Sequence, residues 1–392
     1  MQAMQTTAHF YRRAVQFIVL MGVVSLLADM VYEGGRSLSG QYLALLGASG
    51  TVVGLTAGAG ELIGYGLRLV FGYLSDRTRR YWLLTILGYT LTIIAVPMLA
   101  LAQAWPLAVG LLMVERFSKA LRSPAKDTLL SYAAERVGTG KGFGLHEALD
   151  QIGAVAAPLI LAAVLAVSGS FQMAFALLIV PGVACLIVLI AARILFPQPS
   201  DLVSKTPELL TTGLQARFWW YLLSVGLFAA ASVDFALAAY HFQRTQLINA
   251  AAIPLLYALA MVVDAVAALG FGVLYDRIGM PVLSGITLVA ALSTPLLFSG
   301  VLVAAVLGVV MWGIALGAQE SILRAAVTRL APADRRGTAY GLFNACFGLS
   351  WFIGSALFGV LYDVALPVLI GVSVSLYLMA ALILWFVVTR QP

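Results

Sequence analysis

The residues best suited to chemistry in this chain are acids and bases inside long apolar segments. An ionisable side chain at bilayer depth costs about 2.5–3.5 kcal/mol to insert, so such residues are candidates for function. The first half carries six acids and six bases of this kind, and equal numbers predict mutual pairing in a polar interior. They are Asp29, Glu33, Glu61, Glu115, Glu147, Asp150, Arg36, Arg68, Arg116, Lys119, Arg122 and Lys126.

Their spacing places these groups on narrow helical faces. Asp29, Glu33 and Arg36 are four and three residues apart, which predicts one face about 60° wide. A second face comprises Glu115, Lys119, Arg122 and Lys126, with Arg116 about 100° away. Proton coupling needs groups whose proton affinity changes with their surroundings. The candidates are Asp29, Glu33, Glu61, Arg116, His146, Glu147 and Asp150. The alternative is a purely structural role for pairs such as Glu115 with Lys119.

The second half is more apolar, which predicts an asymmetric substrate cavity with an aromatic wall. Its ionisable groups include Asp234, His241 and Asp264. The candidates for the whole cavity are Arg36, Lys119, Arg122, Asp234, Asp264, Glu320, Arg324, Phe343, Asn344, Phe347, Trp312 and Trp351. Aromatic side chains in a helical bundle also serve as packing or interface residues, so both interpretations stay open for the four aromatic candidates.

The composition requires a membrane protein. Of the 392 residues, 62% are hydrophobic and 10% are charged, and the mean hydropathy is +0.99. Soluble domains average roughly 45–50% apolar and about 25% charged residues. The net charge of +6 does not indicate nucleic-acid binding, because too little solvated surface remains for a basic face. Cys185 and Cys346 lie in apolar runs, so neither a disulfide nor a thiolate metal site is predicted.

Runs of about 20 apolar residues predict twelve membrane spans, and hence an all-α membrane protein. The spans are 14–45, 50–75, 81–102, 105–131, 142–167, 171–195, 217–242, 249–275, 281–299, 302–328, 338–362 and 366–389. One long hydrophilic stretch divides them. We therefore expect an N-terminal six-helix bundle (1–195), a cytoplasmic linker (196–216) and a C-terminal six-helix bundle (217–392).

The distribution of basic residues predicts the orientation. Fifteen Lys and Arg residues fall at helix ends or connections on one side, whereas Arg244 alone falls on the other. Because cytoplasmic connections carry the excess of positive charge, we expect both termini in the cytoplasm. No Gly-x4-Gly-Lys-Ser/Thr loop occurs, so no ATP site, other cofactor or enzymatic activity is expected.

Three recurrences indicate a duplicated six-helix unit. Gly72–Arg77 is similar to Gly272–Arg277, Phe143–Ala148 to Tyr340–Ala345, and Leu121-Arg122 to Leu323-Arg324. Parallel six-helix repeats are typical of secondary transporters, which bind substrate near the midplane between the halves.

Three motifs resemble the major facilitator superfamily. Gly72-x-Leu-x-Asp76-Arg77-x-x-Arg80 resembles its loop 2–3 signature, and Arg116-x-x-Lys119-Ala resembles its Arg-x-x-Gln-Gly motif. Gly144-x8-Gly153-x3-Ala-Pro158 resembles its span-five antiporter motif. The family pattern has glycines where this sequence has Ala157 and Leu161-Ala162. These departures weaken the support for an antiporter more than the support for the fold. The resemblance implies two pseudo-symmetric six-helix bundles and a drug/proton antiporter.

Several motif residues are candidates for a conformational gate. A glycine at a helix end permits close packing. An aspartate there can accept hydrogen bonds from the N-terminus of a neighbouring helix, which stabilises one closed arrangement by about 0.3–2 kcal/mol. The alternative is that these are solvated loop charges. The gate candidates are Gly72, Asp76, Arg77, Arg80, Gly272, Asp276, Arg277, Gly144, Gly153 and Pro158, with Gly144 and Gly153 expected on one face of span five.

The expected function is proton-coupled export of small amphipathic molecules by alternating access, by a monomer in the bacterial cytoplasmic (inner) membrane. Its expected partners are the lipid bilayer, the substrate and protons. Uptake of an organic anion is an alternative, because Arg36, Lys119, Arg122 and Arg324 suit a carboxylate or phosphate. A divalent-metal exporter using Asp29, His146, Glu147 and Asp150 is another. A non-coupled receptor or lipid scramblase on the same fold is the third.

Overall fold

The computed structural model describes residues 2–197, 215–331 and 336–389, and these are almost entirely helical. The first half contains α1 (Gln2–Leu45), α2 (Gly50–Thr78), α3 (Tyr81–Met98), α4 (Trp105–Val137), α5 (Thr139–Ser168), α6 (Phe171–Leu177) and α7 (Ile179–Leu195). The second half contains α8 (Ala216–Ala231), α9 (Phe235–Thr245), α10 (Ile253–Ile278), α11 (Pro281–Ala291), α12 (Ser293–Leu297), α13 (Leu302–Ala318), α14 (Arg324–Leu330), α15 (Arg336–Val364) and α16 (Leu366–Ile383).

These helices form twelve spans. Short interruptions divide spans six, seven, nine and ten into the pairs α6–α7, α8–α9, α11–α12 and α13–α14. Within the described residues, nine helical stretches are long and apolar enough to cross a bilayer when the short interruptions are included. The glycine-rich α2, the charged α4 and the shorter stretch Pro281–Leu297 complete the twelve. The all-α, twelve-span prediction is confirmed. Most of the predicted linker (196–216) lies outside the described residues.

Span seven is interrupted where it carries a buried acid. Asp234 caps α9, because its Oδ1 accepts a hydrogen bond of 2.8 Å from the backbone N–H of Ala236. The backbone carbonyl of Val233 accepts from Trp312 Nε1 at 2.9 Å. These bonds satisfy backbone groups that the interruption removes from the helical ladder.

Glycines permit close helix crossings in both halves. A Cβ atom on Gly153 of α5 would lie 2.2 Å from the carbonyl oxygen of Leu26 in α1. A Cβ atom on Gly354 of α15 would lie 2.1 Å from the carbonyl oxygen of Ala230 in α8. Only glycine fits at either crossing, as expected where membrane helices pack through their backbones.

Residue contacts divide the chain into two compact units. Unit 1 comprises Met1–Gly35, Leu67–Ala102 and Pro106–Pro207, and unit 2 comprises Arg36–Gly66, Gln103–Trp105 and Glu208–Pro392. A core around Phe17, Trp82 and Phe196 stabilises unit 1. A core around Tyr221, Phe347 and Tyr377 stabilises unit 2. The division of the sequence into bundles at residues 195 and 217 stays a prediction.

Candidate transport site

The charged face of α4 meets α1 and α5 inside unit 1. Glu115 and Arg122 on this face are buried, whereas Arg116 and Lys119 are half-buried. Glu33 and Asp29, both on α1, interact electrostatically with Lys119. The predicted faces of spans one and four therefore come together.

Tyr32 organises the cations of α4. Its ring centroid lies 3.6 Å from Lys119 Nζ and 5.1 Å from the guanidinium carbon of Arg116. Arg116 also donates a hydrogen bond to the Tyr32 hydroxyl. Sequence reasoning missed this residue, although it lies between Asp29 and Glu33 and an aromatic face attracts cations.

Arg116 and Arg122 of α4 are held in place by nearby side chains. Arg116 contacts its sequence neighbour Glu115, and Arg122 contacts the uncharged Thr92 and Tyr89. Arg116 Nε lies 3.4 Å from Glu115 Oε2. Arg122 donates to Thr92 Oγ1 at 3.2 Å, and its guanidinium carbon lies 4.5 Å from the ring centroid of Tyr89. These contacts fix Arg116 and Arg122 as part of the protein's own scaffold.

Asp29 is the least constrained acid of the cluster. Its neighbours in electrostatic range are Asp150, Lys119, Glu33 and Arg122. Within the described part of the chain, its carboxylate makes no hydrogen bond and no ion pair within 4 Å. It is half-buried near the middle of the first span, Tyr11–Leu45. A carboxylate so placed is open to a proton or to a ligand.

Helix α5 supplies the other side of the cluster. His146 is buried, and Asp150 is half-buried with Lys126, His146 and the hydrogen-bonding hydroxyl of Ser25 around it. Lys126 Nζ also lies 3.5 Å from Asp127 Oδ1. Glu147, by contrast, is exposed, because it lies about 100° around the helix from His146.

Arg36 belongs to a separate ion cluster in unit 2. Its Nη2 lies 3.2 Å from Asp234 Oδ2 and 3.5 Å from Glu61 Oε1. Arg36 lies on the same face of the continuous helix α1 as Asp29 and Glu33, but its guanidinium contacts acids from α2 and span seven. Sequence spacing alone could not reveal a partner 198 residues away.

The aromatic candidates of the second half pack mainly against one another. Phe343 and Phe347 stack with their centroids 6.0 Å apart, and Trp351 lies 5.5 Å from Phe347. Tyr65 adds an edge contact with Phe347 at 5.4 Å. Trp312 packs on Phe235 at 5.6 Å. The packing interpretation is the one that these contacts support.

The remaining second-half candidates differ in burial. Asp264 is buried in α10, Asn344 is half-buried, and Glu320 and Arg324 are exposed. His241 Nδ1 lies 2.9 Å from the Tyr362 hydroxyl. Arg68, from the first-half set, is half-buried in α2. Among the described residues, no group of three or more His, Cys, Asp or Glu side chains is placed to hold a metal ion.

The two loop signatures make local contacts. Asp76 is exposed and accepts from the Tyr81 hydroxyl at 3.4 Å, and Arg77 Nη1 donates to the Tyr73 hydroxyl at 3.4 Å. Asp276 Oδ1 lies 3.8 Å from Arg329 Nη2. Arg80 and Arg277 are exposed.

Three gate glycines do not pack as expected. A Cβ atom on Gly72 would meet only Pro124, at an ordinary 3.8 Å, and one on Gly272 or Gly144 would meet nothing within 4 Å. Close packing is therefore the wrong reason for these glycines in this structure. Gly144 is nine residues from Gly153, which is two and a half helical turns, so the two lie on opposite faces. Gly153 is tightly packed, and Pro158 lies buried within α5.

The sequence matches the family model of the Major Facilitator Superfamily over residues 14–355 and again over 222–392. The chain belongs to this superfamily. An uncharacterised protein of Mycobacterium tuberculosis (strain ATCC 25618 / H37Rv) is 42% identical over 95% of this chain and 93% of its own length. An uncharacterised MFS-type transporter of Methanocaldococcus jannaschii is 26% identical over 94% of both chains.

Solved structures agree on the fold. A crystal structure of the peptide transporter POT in complex with sulfate has a TM-score of 0.76, with 16% identity over 96% of this chain and 94% of that one. The superfamily and the fold identify this protein as a multi-pass membrane transporter rather than an enzyme.

Proposed function

We propose that this MFS protein is a proton-coupled exporter of small amphipathic molecules, and that Asp29 is its proton-binding residue. The observation that carries the proposal is the position of Asp29 at mid-span, among two acids and two bases, with no ion-pair partner within 4 Å among the described residues. The neighbouring candidates act through Asp29. Asp150, Glu33 and His146 modulate its affinity for a proton. Lys119 and Arg122 balance the negative charge of the acids.

If the substrate and a proton compete for the Asp29 carboxylate, substrate export becomes coupled to proton entry. A proton on Asp29 removes one of three neighbouring negative charges, which relieves their repulsion. A cationic or hydrogen-bonding substrate relieves the same repulsion, so substrate and proton exclude each other. Alternating access then converts that exclusion into antiport, because each partner leaves on the side where the other is abundant.

The cellular setting is proposed along with the mechanism. We place the protein in the bacterial cytoplasmic membrane as a monomer, with both termini in the cytoplasm. The mycobacterial relative supports a bacterial membrane, and the distribution of basic residues supports the orientation.

The experiment is transport by purified protein in proteoliposomes with an imposed pH gradient. Ethidium, benzoate and Mn²⁺ are offered in parallel, because they represent a cationic dye, an organic acid and a divalent metal. Ethidium should move against the proton flow. The Asp29→Asn variant should reduce gradient-driven movement at least tenfold while sparing counterflow of ethidium.

Asp127→Asn is the matched control, since Asp127 is an exposed acid that pairs with Lys126 at the edge of the cluster and is not among the charged neighbours of Asp29. It should keep driven transport near the parental rate. Gradient-driven ethidium transport by Asp29→Asn at the parental rate would remove Asp29 from the coupling role.

Anion uptake is a second candidate, favoured by Lys119. No carboxylate oxygen of the described residues lies within 4 Å of its Nζ, which contacts the Tyr32 ring instead. An ammonium group in that state can receive a substrate carboxylate. The same assay separates the two functions, because anion uptake predicts benzoate moving with protons and no ethidium transport.

A further inference from the structure

One hexapeptide occurs twice in identical form and a third time in similar form. Phe-Gly-Val-Leu-Tyr-Asp stands at residues 271–276 and again at 358–363, and Phe-Gly-Tyr-Leu-Ser-Asp stands at 71–76. The copies at 71–76 and 271–276 end spans two and eight, at the end of the molecule that carries the basic connections. The third copy ends span eleven, at the opposite end, which we call the outer end.

At the outer end, the aspartate of the third copy binds the N-terminus of another helix. Asp363 Oδ1 accepts from the backbone N–H of Gly50 at 3.0 Å. Its Oδ2 accepts from the backbone N–H and the hydroxyl of Thr51, both at 2.7 Å. Gly50 and Thr51 begin α2, so the carboxylate lies where the helix dipole favours negative charge.

These bonds complete the accounting of the α2 N-terminus. A helix leaves its first N–H groups without intrahelical partners. The first i→i−4 bond of α2 runs from the Val53 N–H to the Ser49 carbonyl at 3.1 Å, so the N–H groups of Gly50, Thr51 and Val52 need other acceptors. Val52 N–H donates to Ser49 Oγ at 3.2 Å, and Asp363 accepts from the other two. The helix start is therefore capped partly by its own chain and partly by span eleven.

The glycine of the third copy allows this approach. A Cβ atom on Gly359 would lie 2.7 Å from the Gly50 carbonyl oxygen and 3.0 Å from Gly54 Cα. In the opposite direction, a Cβ atom on Gly54 would lie 2.3 Å from the Ser355 carbonyl oxygen. Helices α2 and α15 thus cross backbone to backbone, just before the carboxylate contact.

We infer that the segment Phe358–Asp363 is an outer latch, in which Asp363 holds the N-terminus of α2 and stabilises the outward-closed arrangement. Helix α2 belongs to the first repeat and α15 to the second. Outward opening separates the repeats at this end, and so must break the three hydrogen bonds. The latch goes beyond the proposed proton coupling and does not depend on it.

The exposure of Asp363 limits the strength of the latch. Water can replace the three bonds once the helices part, so the latch biases the equilibrium without blocking the cycle. A second contact acts alongside it: the Tyr240 hydroxyl donates to the Ala48 carbonyl at 3.1 Å, and Arg244 Nη1 donates to the Tyr240 hydroxyl at 2.7 Å.

The test measures the outer opening by double electron–electron resonance. Spin labels are placed at the exposed Leu101, at the outer end of span three, and the exposed Val301, at the outer start of span ten, after Cys185 and Cys346 have been changed to serine. Loss of a helix-capping carboxylate weakens a helix start, and loss of its negative charge at the positive end of the helix dipole adds to this. We expect Asp363→Ala to raise the ratio of long to short outer distances about tenfold.

Two further variants make the test specific. Thr51→Val removes only the hydroxyl bond and should shift the ratio in the same direction by about twofold. Asp276→Ala alters the identical hexapeptide at the opposite end, where it contacts Arg329, and should not raise the ratio of long to short outer distances. An unchanged distribution in Asp363→Ala, or an equal shift in Asp276→Ala, would overturn the latch. These distances do not report proton coupling, so either proposal can fail alone.

Discussion

Helices α5 and α15 occupy equivalent places in the two repeats and present opposite chemistry. The alignment of Phe143–Ala148 with Tyr340–Ala345, continued along both helices, places His146 opposite Phe343 and Asp150 opposite Phe347. In unit 1 these positions face cations of α4. In unit 2 they form an aromatic stack with Trp351 and Tyr65.

Helices α5 and α15 share a packing feature even though their side-chain chemistry differs. Gly153 crosses α1 at Leu26, and Gly354, one turn further along the aligned helix, crosses α8 at Ala230. The duplicated backbone thus kept its close crossing while the inward side chains changed. Where a glycine already fixes the contact between two helices, the neighbouring positions can carry charged side chains, as on α5, or aromatic rings, as on α15.

The largest effect is expected when the chemistry of unit 2 is placed in unit 1. Asp150→Phe removes an acid from beside Lys126 and His146, so that Lys126 keeps the exposed Asp127 but loses the acid on α5, and it places a large ring among charged side chains. We expect a loss of about 3–5 kcal/mol in the free energy of unfolding. SDS titration monitored by tryptophan fluorescence measures it. Parental stability would show that the acid of α5 does not balance the α4 cations.

A smaller effect is expected from opening the aromatic stack. Phe347→Ala removes a buried ring that contacts Phe343, Trp351 and Tyr65. We expect a loss of about 2 kcal/mol, below the 3–5 kcal/mol usual for water-soluble cores, because membrane helices gain packing without transfer from water. The same titration applies. Gradient-driven transport should persist, and its selective loss would contradict a packing role.

The smallest effect concerns the feature that the two helices share. Gly153→Ala forces the backbones of α5 and α1 apart, with an expected cost of about 1–2 kcal/mol. Gly354→Ala should cost about the same at its crossing with α8. Gly144→Ala is the control, since open space surrounds that position, and it should change stability by less than about 1 kcal/mol. A cost at Gly144 equal to that at Gly153 would contradict the assignment of the packed face.

Local sequence patterns predicted the fold and much of the unit 1 cluster. Asp29 and Glu33 could be placed on one face of span one, and Lys119 on a charged face of span four, because the helical period and the cost of burial act within single spans. Span boundaries followed from length and apolarity. The interruption at Asp234 was not predicted, because hydropathy alone does not reveal an N-cap inside a span.

Contacts between distant spans required the structure. Spacing placed Arg36 on the same helical face as Asp29, but it could not show that Arg36 contacts Glu61 and Asp234 on other helices. Asp363 was missed for a different reason: its signal, the repeated hexapeptide, was present in the sequence, but an aspartate in a short connection has no visible partner until α2 is placed beside it.

The central claim is that the charged cluster of unit 1 carries proton coupling and its aromatic counterpart in unit 2 does not. The most direct measurement is the proton flux that ethidium evokes in proteoliposomes, read with an internal pH-sensitive dye. We predict a flux for the parent and for Phe347→Leu, and none for Asp29→Asn. A parental flux from Asp29→Asn, or a flux abolished only by Phe347→Leu, would contradict the account.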